Sequence, residues 1–132
     1  MHDNESQNVH PTFGEYLKAK RESLGKTIRG LAAELDMTPA YISDIEKGNR
    51  YAPDKHLEKM AEKLNLTGED KDVFYDLAGI SRNDVFPDLK QYISKHPVAR
   101  VALRKARDLN ISDSRWNEFI ESMDENEIND GG

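Results

Sequence analysis

The stretch from Lys26 to Gly48, KTIRGLAAELDMTPAYISDIEKG, decides how this chain folds. Thr27 and Thr38 are both suited to capping the start of a short helix. Pro39 follows Thr38 at the first helical position, where its missing N–H costs nothing. The stretch therefore predicts two short helices joined by a tight turn, with Gly48 ending the second.

Small and apolar residues in this stretch fit two helices that cross closely. Ala32 offers a small side chain at the crossing, and Ile42 and Ile45 lie on one side of the second helix. The major groove of B-DNA is wide enough for one α-helix, and a helix pair of this kind places its second helix there. The sequence therefore predicts a DNA-binding unit.

Helical spacing of apolar residues recurs along the rest of the chain, without a convincing alternating strand pattern. Five helices are predicted between Thr12 and Gly79, with Asp54 capping the fourth and Gly79 ending the fifth. Three shorter helices follow, at about Pro87–Ser94, Pro97–Leu109 and Ser112–Met123. The predicted fold class is all-α: a five-helix bundle with a C-terminal helical extension of about three helices.

Composition divides the chain into four segments. Residues 1–11 are polar and are expected to be disordered. Residues 12–80 form the DNA-binding bundle, and the polar break at 81–84 is the expected boundary. Residues 81–123 form the helical extension, for dimerisation or partner binding. Residues 124–132 are expected to be an acidic, flexible tail.

The net charge of −6 is unusual for a DNA-binding protein, but its distribution is uneven. Residues 12–66 hold ten Lys/Arg and nine Asp/Glu, and residues 89–107 hold six basic residues and no acid. Residues 108–132 hold eight acids and one arginine. The negative charge therefore lies mostly in the tail.

Several classes of protein are not favoured by this sequence. It has no cysteine and no apolar stretch long enough to cross a membrane, and its first ten residues lack the pattern expected of a signal peptide, so we expect a cytoplasmic protein without a membrane partner. Its four histidines lack metal-ligand spacing, and neither a phosphate-binding loop nor a nucleophile motif is present. We expect no enzyme activity, no metal and no cofactor.

Several motifs between Thr12 and Leu66 belong together as a set. They are Phe13-x-x-x-Leu17, Arg21-Glu22-x-Leu24-Gly25, Leu31-Ala32, Thr38-Pro39-x-Tyr41-Ile42-Ser43-x-Ile45-Glu46-x-Gly48 and Leu57-x-x-Met60-Ala61. As a set they resemble the phage-repressor-like (XRE, Cro/C1-type) helix-turn-helix regulators. The resemblance implies a five-helix bundle whose third helix reads bases and which acts as a dimer on a near-palindrome.

The resemblance also implies which residues meet DNA. Base contacts are expected from Thr38, Ala40, Tyr41, Ser43 and Asp44. Asp44 either accepts from a cytosine amino group or is a solvated carboxylate, and Tyr41 either contacts the DNA backbone or covers the turn. Since this helix lacks Arg, Asn and Gln, we expect modest direct readout with a contribution from DNA shape.

Backbone contacts are expected from helix N-termini and the loop after the third helix. The candidates are Thr27, Ile28, Arg29, Lys47, Asn49 and Arg50. Arg21 and Glu46 are implied by the resemblance to form a structural ion pair that fixes the first helix to the third. Arg100, Arg104 and Arg107 share one face of a later helix and form either a second basic contact surface or a solvated face.

Three functional hypotheses follow from these residues. The first is a repressor or autorepressor that binds double-stranded DNA as a homodimer. The second is an antitoxin-type regulator controlled by a companion protein, a toxin or a regulatory protein, that binds the C-terminal helices. The third is a protein-interaction module that no longer binds DNA, which the acidic balance and Asp44 keep open.

Overall fold

Eight helices make up the regular structure of residues 10–84 and 86–131, which are the residues that the computed structural model describes, with side chains to residue 126. The helices are α1 (Phe13–Ser23), α2 (Ile28–Leu35), α3 (Pro39–Glu46), α4 (Asp54–Lys63), α5 (Gly68–Arg82), α6 (Pro87–Lys95), α7 (Pro97–Asp108) and α8 (Asp113–Gly131). These ranges contain no strand, so the all-α prediction is confirmed. None of the described helices is long and apolar enough to cross a membrane.

Side-chain caps fix where the first three helices begin. Thr12 and Glu15 form a reciprocal capping box at the start of α1. Thr27 accepts a hydrogen bond from the amide of Gly30 at 2.9 Å, and Thr38 accepts one from the amide of Tyr41 at 3.1 Å. The turn between α2 and α3 therefore begins at Asp36, which has a left-handed backbone conformation, and ends at the Thr38 cap.

The core lies among α1 to α5 and is almost wholly aliphatic and aromatic. Phe74 of α5 is fully buried, and its ring centre lies 5.1 Å from that of Phe13 at the start of α1. Ala32 is buried where α2 packs against α3. The remaining large side chains that are fully buried are Leu17, Leu31, Leu35, Ile42, Ile45, Leu57 and Met60. The core packs against the inner sides of α2 and α3, the two helices of the Lys26–Gly48 stretch, and so fixes their positions.

The chain divides into two compact units between Lys90 and Gln91. The first unit contains the bundle. In the second, no side chain from 91 to 126 is fully buried. Helix α8 continues through the acidic residues 124–131, and the flexibility expected of that segment stays a prediction. The disorder expected at the N-terminus falls almost wholly on residues 1–9, outside the described residues.

Two details of the expected helix ends are wrong. Asp54 does not cap α4, because Pro53 occupies the cap position and the Asp54 carboxylate instead pairs with Arg82 and Lys90. Gly79 does not end α5, which continues to Arg82. A Cβ at Gly79 would lie 2.5 Å from a ring carbon of Phe86. Gly79 therefore allows the Phe86 ring to pack closely on α5, and it does not mark the end of the helix.

We expect Asp54 to make stability depend on acid pH. Burial alone would raise the pKa of Asp54, but hydrogen bonds from Arg82 and Lys90 outweigh burial and hold it below its ordinary value. A pKa lowered by folding stabilises the native state above the unfolded-state pKa of about 3.9, and this contribution is lost as pH falls through the folded-state pKa.

Urea unfolding of the wild type and Asp54→Asn, at about pH 6 and about pH 3, measures this contribution. The wild type should be the more stable protein at the higher pH, and the difference should shrink in acid. The pKa of Asp76 is raised, by burial first and then by Asp88 and Asp72, so Asp76 makes the protein more stable in acid. Because Asp76 is present in both proteins, its contribution cancels in the difference between them. A difference that is equal at both pH values would contradict the assignment.

Candidate nucleic-acid interface

Helix α3 is held by its apolar side and exposes the opposite side. Ile42 and Ile45 are buried against the core, and α3 packs on both α1 and α2. Thr38, Pro39 and Ala40 are exposed at its N-terminus. The outer side of α3 is therefore available to an external partner along its first two turns.

The structure brings the five expected base-contacting residues onto that side of α3. Thr38 and Ala40 are exposed, and Tyr41, Ser43 and Asp44 are half-buried. Their hydroxyl, methyl and carboxylate groups can donate to, accept from or pack against base edges. Contact with DNA by each of them stays a prediction.

The expected backbone contacts divide into exposed residues and one that belongs to the core. Ile28 packs against the core and is half-buried. Thr27 is exposed, but its hydroxyl serves as the cap of α2. The remaining candidates, Arg29, Lys47, Asn49 and Arg50, are all exposed. The cations therefore lie at the start of α2 and in the loop after α3.

Arg50 and Tyr41 join the loop after α3 to α3 itself. The Arg50 guanidinium carbon lies 4.6 Å from the centre of the Tyr41 ring, a cation–π contact. Because the stacking occupies a face of the guanidinium, its N–H groups stay available at its edge for a phosphate oxygen. Tyr41 thus covers part of the loop while it positions a cation.

Arg21 and Glu46 form a buried ion pair between α1 and the end of α3. Arg21 Nε lies 2.7 Å from Glu46 Oε2 and Nη2 lies 3.1 Å from Oε1, with side-chain exposures of only 8% and 5%. Arg21 Nη1 also donates to the carbonyl of Lys26 at 2.9 Å. The hydrogen bonds that Arg21 donates to Glu46 raise the pKa of Arg21 despite its burial. Through these hydrogen bonds, Arg21 fixes both the end of α3 and the turn before α2 to α1.

Gly14 is a positioning residue that the sequence reasoning missed. A Cβ at Gly14 would lie inside van der Waals contact with the backbone oxygens of Ile45 and Glu46. Helix α1 can therefore pack directly on the last turn of α3 only because Gly14 lacks a side chain. A glycine in the first turn of an amphipathic helix was the available signal, since glycine is otherwise unfavourable there.

Arg82 holds the loop after α3 from the other end and was also missed. It hydrogen-bonds the carbonyl of Ala52 and the carboxylate of Asp54. Lys90 lies 3.2 Å from Asp54 and 3.0 Å from Asp84. Because Arg82 and Lys90 lie between 28 and 36 positions in sequence from their partners Ala52 and Asp54, no local pattern predicts their contacts with this loop.

The family model Helix-turn-helix (HTH_3) matches residues 17–71, from the middle of α1 to the start of α5. Residues 17–71, less than half of the chain, are therefore similar to a helix-turn-helix domain. The match confirms the resemblance to XRE-type helix-turn-helix regulators that the motifs indicated.

A solved structure titled SinR protein/SinI protein complex aligns with 88% of this chain and 98% of its own, at 17% identity and a TM-score of 0.41. The search of curated proteins gives no match. The assignment of the helix-turn-helix domain therefore depends on the family model and on the geometry of α1 to α5.

Outside the helix-turn-helix domain, the three arginines of α7 do not act alike. Arg100 donates to the carbonyls of Ile93 and Ser94, both at 2.7 Å, and so closes the end of α6. Arg104 is exposed, and Arg107 pairs with its neighbour Asp108. A second basic contact surface would therefore have Arg104 and Arg107 as its accessible members, and it stays a prediction.

Proposed function

We propose that this protein is a sequence-specific double-stranded DNA-binding transcription regulator. It acts in the cytoplasm as a repressor or autorepressor, as a homodimer on a near-palindromic operator. The observation that carries the proposal is the outer side of α3, which is fixed by the Arg21–Glu46 pair and flanked by the stacked cation of Arg50. This arrangement supports a helix docked in the major groove with phosphates held beside it.

Direct base readout in this proposal is limited, because α3 carries no Arg, Asn or Gln. Ser43 accepts from or donates to either kind of base, and Ala40 packs on a thymine methyl group. Asp44 either accepts from a cytosine amino group or is a solvated carboxylate that lies away from the phosphates. Specificity therefore depends on half-site spacing and DNA shape as well as on base edges.

Measurement of affinity for upstream DNA at two salt concentrations tests the proposal. Binding should weaken steeply with salt, because phosphate contacts release counterions. Arg50→Ala should weaken binding to all sequences alike and reduce the salt slope by about 1 per subunit. Lys71→Ala is the matched control: it removes one exposed cation near Lys55 and Glu58 of α4 and should leave the slope unchanged. Absence of binding to any genomic fragment at low salt would refute the proposal.

A companion protein that binds the C-terminal helices, as in an antitoxin-type regulator, is the second candidate function. It is favoured by the large apolar side chains of residues 91–126 that are exposed in the single chain. Co-purification of the product of an adjacent gene, lost on changing those side chains, would support it over self-association.

A further inference from the structure

The second unit exposes its large apolar side chains instead of burying them. Eight of them are between 45 and 80% exposed, namely Tyr92, Val98, Val101, Leu103, Leu109, Phe119, Ile120 and Met123. Monomeric proteins seldom expose contiguous apolar surface on this scale, and a helical unit of this length without a buried side chain lacks a core of its own. Another surface must therefore cover it.

Five of these side chains form two stripes, Val98 and Val101 on α7 and Phe119, Ile120 and Met123 on α8. Val98 and Val101 share a face of α7, and Lys105 follows them on the same face at i+7 and i+4. Trp116, Phe119, Ile120 and Met123 share a face of α8, where Trp116 is half-buried beside Leu103 and Ala106 of α7. Asp124 follows Ile120 by one turn and so borders the α8 stripe.

The two helices carry opposite charge. Helix α7 has four basic residues and one acid, whereas the described side chains of α8 include five acids and one arginine. Packing α7 against another α7 would bring like charges together, and so would packing α8 against another α8. Packing α7 against the α8 of a second chain opposes unlike charges and joins the two apolar stripes.

We propose that a second copy of this chain covers these stripes, with α7 of each copy packed on α8 of the other and Lys105 facing Asp124 across the contact. A two-fold axis makes the contact occur twice, so that four helices share one core. The inference rests on the homodimer of the proposed function, and its test measures association without DNA.

Charge reversal on either side of the contact provides the test on the full chain. In sedimentation equilibrium, the wild type should be dimeric. Lys105→Glu alone places two acids at each contact and Asp124→Lys alone places two lysines there, so each should weaken the dimer about 100-fold, or about tenfold per contact. An equimolar mixture of the two variants should form a heterodimer, because both of its contacts then oppose unlike charges.

The mixture separates this arrangement from the alternatives. A Lys105–Asp124 pair within one chain would not be restored by mixing, and a stripe covered by another protein would leave the wild type monomeric. Glu121→Lys changes charge on the side of α8 away from its stripe and should leave the dimer nearly unchanged. Circular dichroism checks that each variant keeps its helix content.

The outcomes that overturn the inference are specific. A monomeric wild type, undiminished association of both single variants, or failure of the mixture to associate would each reject it. A wild type that is dimeric and shows the mixing pattern, but binds no DNA, would leave this inference intact and reject the proposed function instead.

Discussion

Gly14→Ala is expected to lower the free energy of unfolding by about 3 kcal/mol, the upper part of the usual range for overpacking. The added methyl group would meet the backbone oxygens of Ile45 and Glu46, which cannot rotate away as a flexible side chain would. To accept it, α1 must move off the last turn of α3. Urea unfolding measures the loss, and DNA binding at low temperature reports whether α3 has shifted in the folded fraction.

Gly30→Ala is the matched control for this change. Gly30 lies in the exposed first turn of α2, and a Cβ there would meet only the Thr27 hydroxyl, at 3.2 Å. Its effect should stay within about 1 kcal/mol in either direction, since alanine is the better helix former. Equal effects from the two substitutions would show that helix propensity, rather than the approach of α1 to α3, decides the result.

Glu46→Ala should lower the free energy of unfolding by about 3–5 kcal/mol. It leaves the Arg21 guanidinium buried without its carboxylate, and the end of α3 loses its tie to α1. Operator affinity should fall although Glu46 itself has no part in the predicted DNA contacts. Thermal unfolding and operator titration of the same protein measure both effects.

Glu22→Ala is the control for removal of a negative charge near Arg21. Glu22 lies 3.9 Å from Arg21 but is 59% exposed, so its loss should cost under about 1 kcal/mol. Arg21→Met combined with Glu46→Leu removes both charges together and should recover most of the stability lost by Glu46→Ala. A double variant no more stable than the single one would show that burial of an unpaired charge is not the cause.

The sequence predicted the helices and the motif because both depend on short-range patterns. Apolar spacing identified Ile42 and Ile45 as the buried side of α3, and the threonines at 27 and 38 marked two helix starts that the structure has. Such signals depend on residues within one or two turns of each other. The helix-turn-helix assignment could therefore be made from the chain alone.

Long-range contacts were the part that the sequence did not predict. Asp54 has the composition of a helix cap, and only the folded chain brings Arg82 to it from 28 positions away. Gly79 reads as a helix end, and only the position of Phe86 shows why a side chain is excluded there. Gly14 was missed for the same reason. Each of these residues is explained by a partner distant in sequence.

The Arg82 hydrogen bond to the carbonyl of Ala52 has a consequence for the kinetics of DNA binding. Together with the stacking of Arg50 on Tyr41, it fixes the loop between α3 and α4 at both ends before any DNA arrives. A loop that is already ordered loses little conformational entropy on docking. Association should then approach the rate of diffusional encounter, and differences between operators should be expressed as differences in residence time.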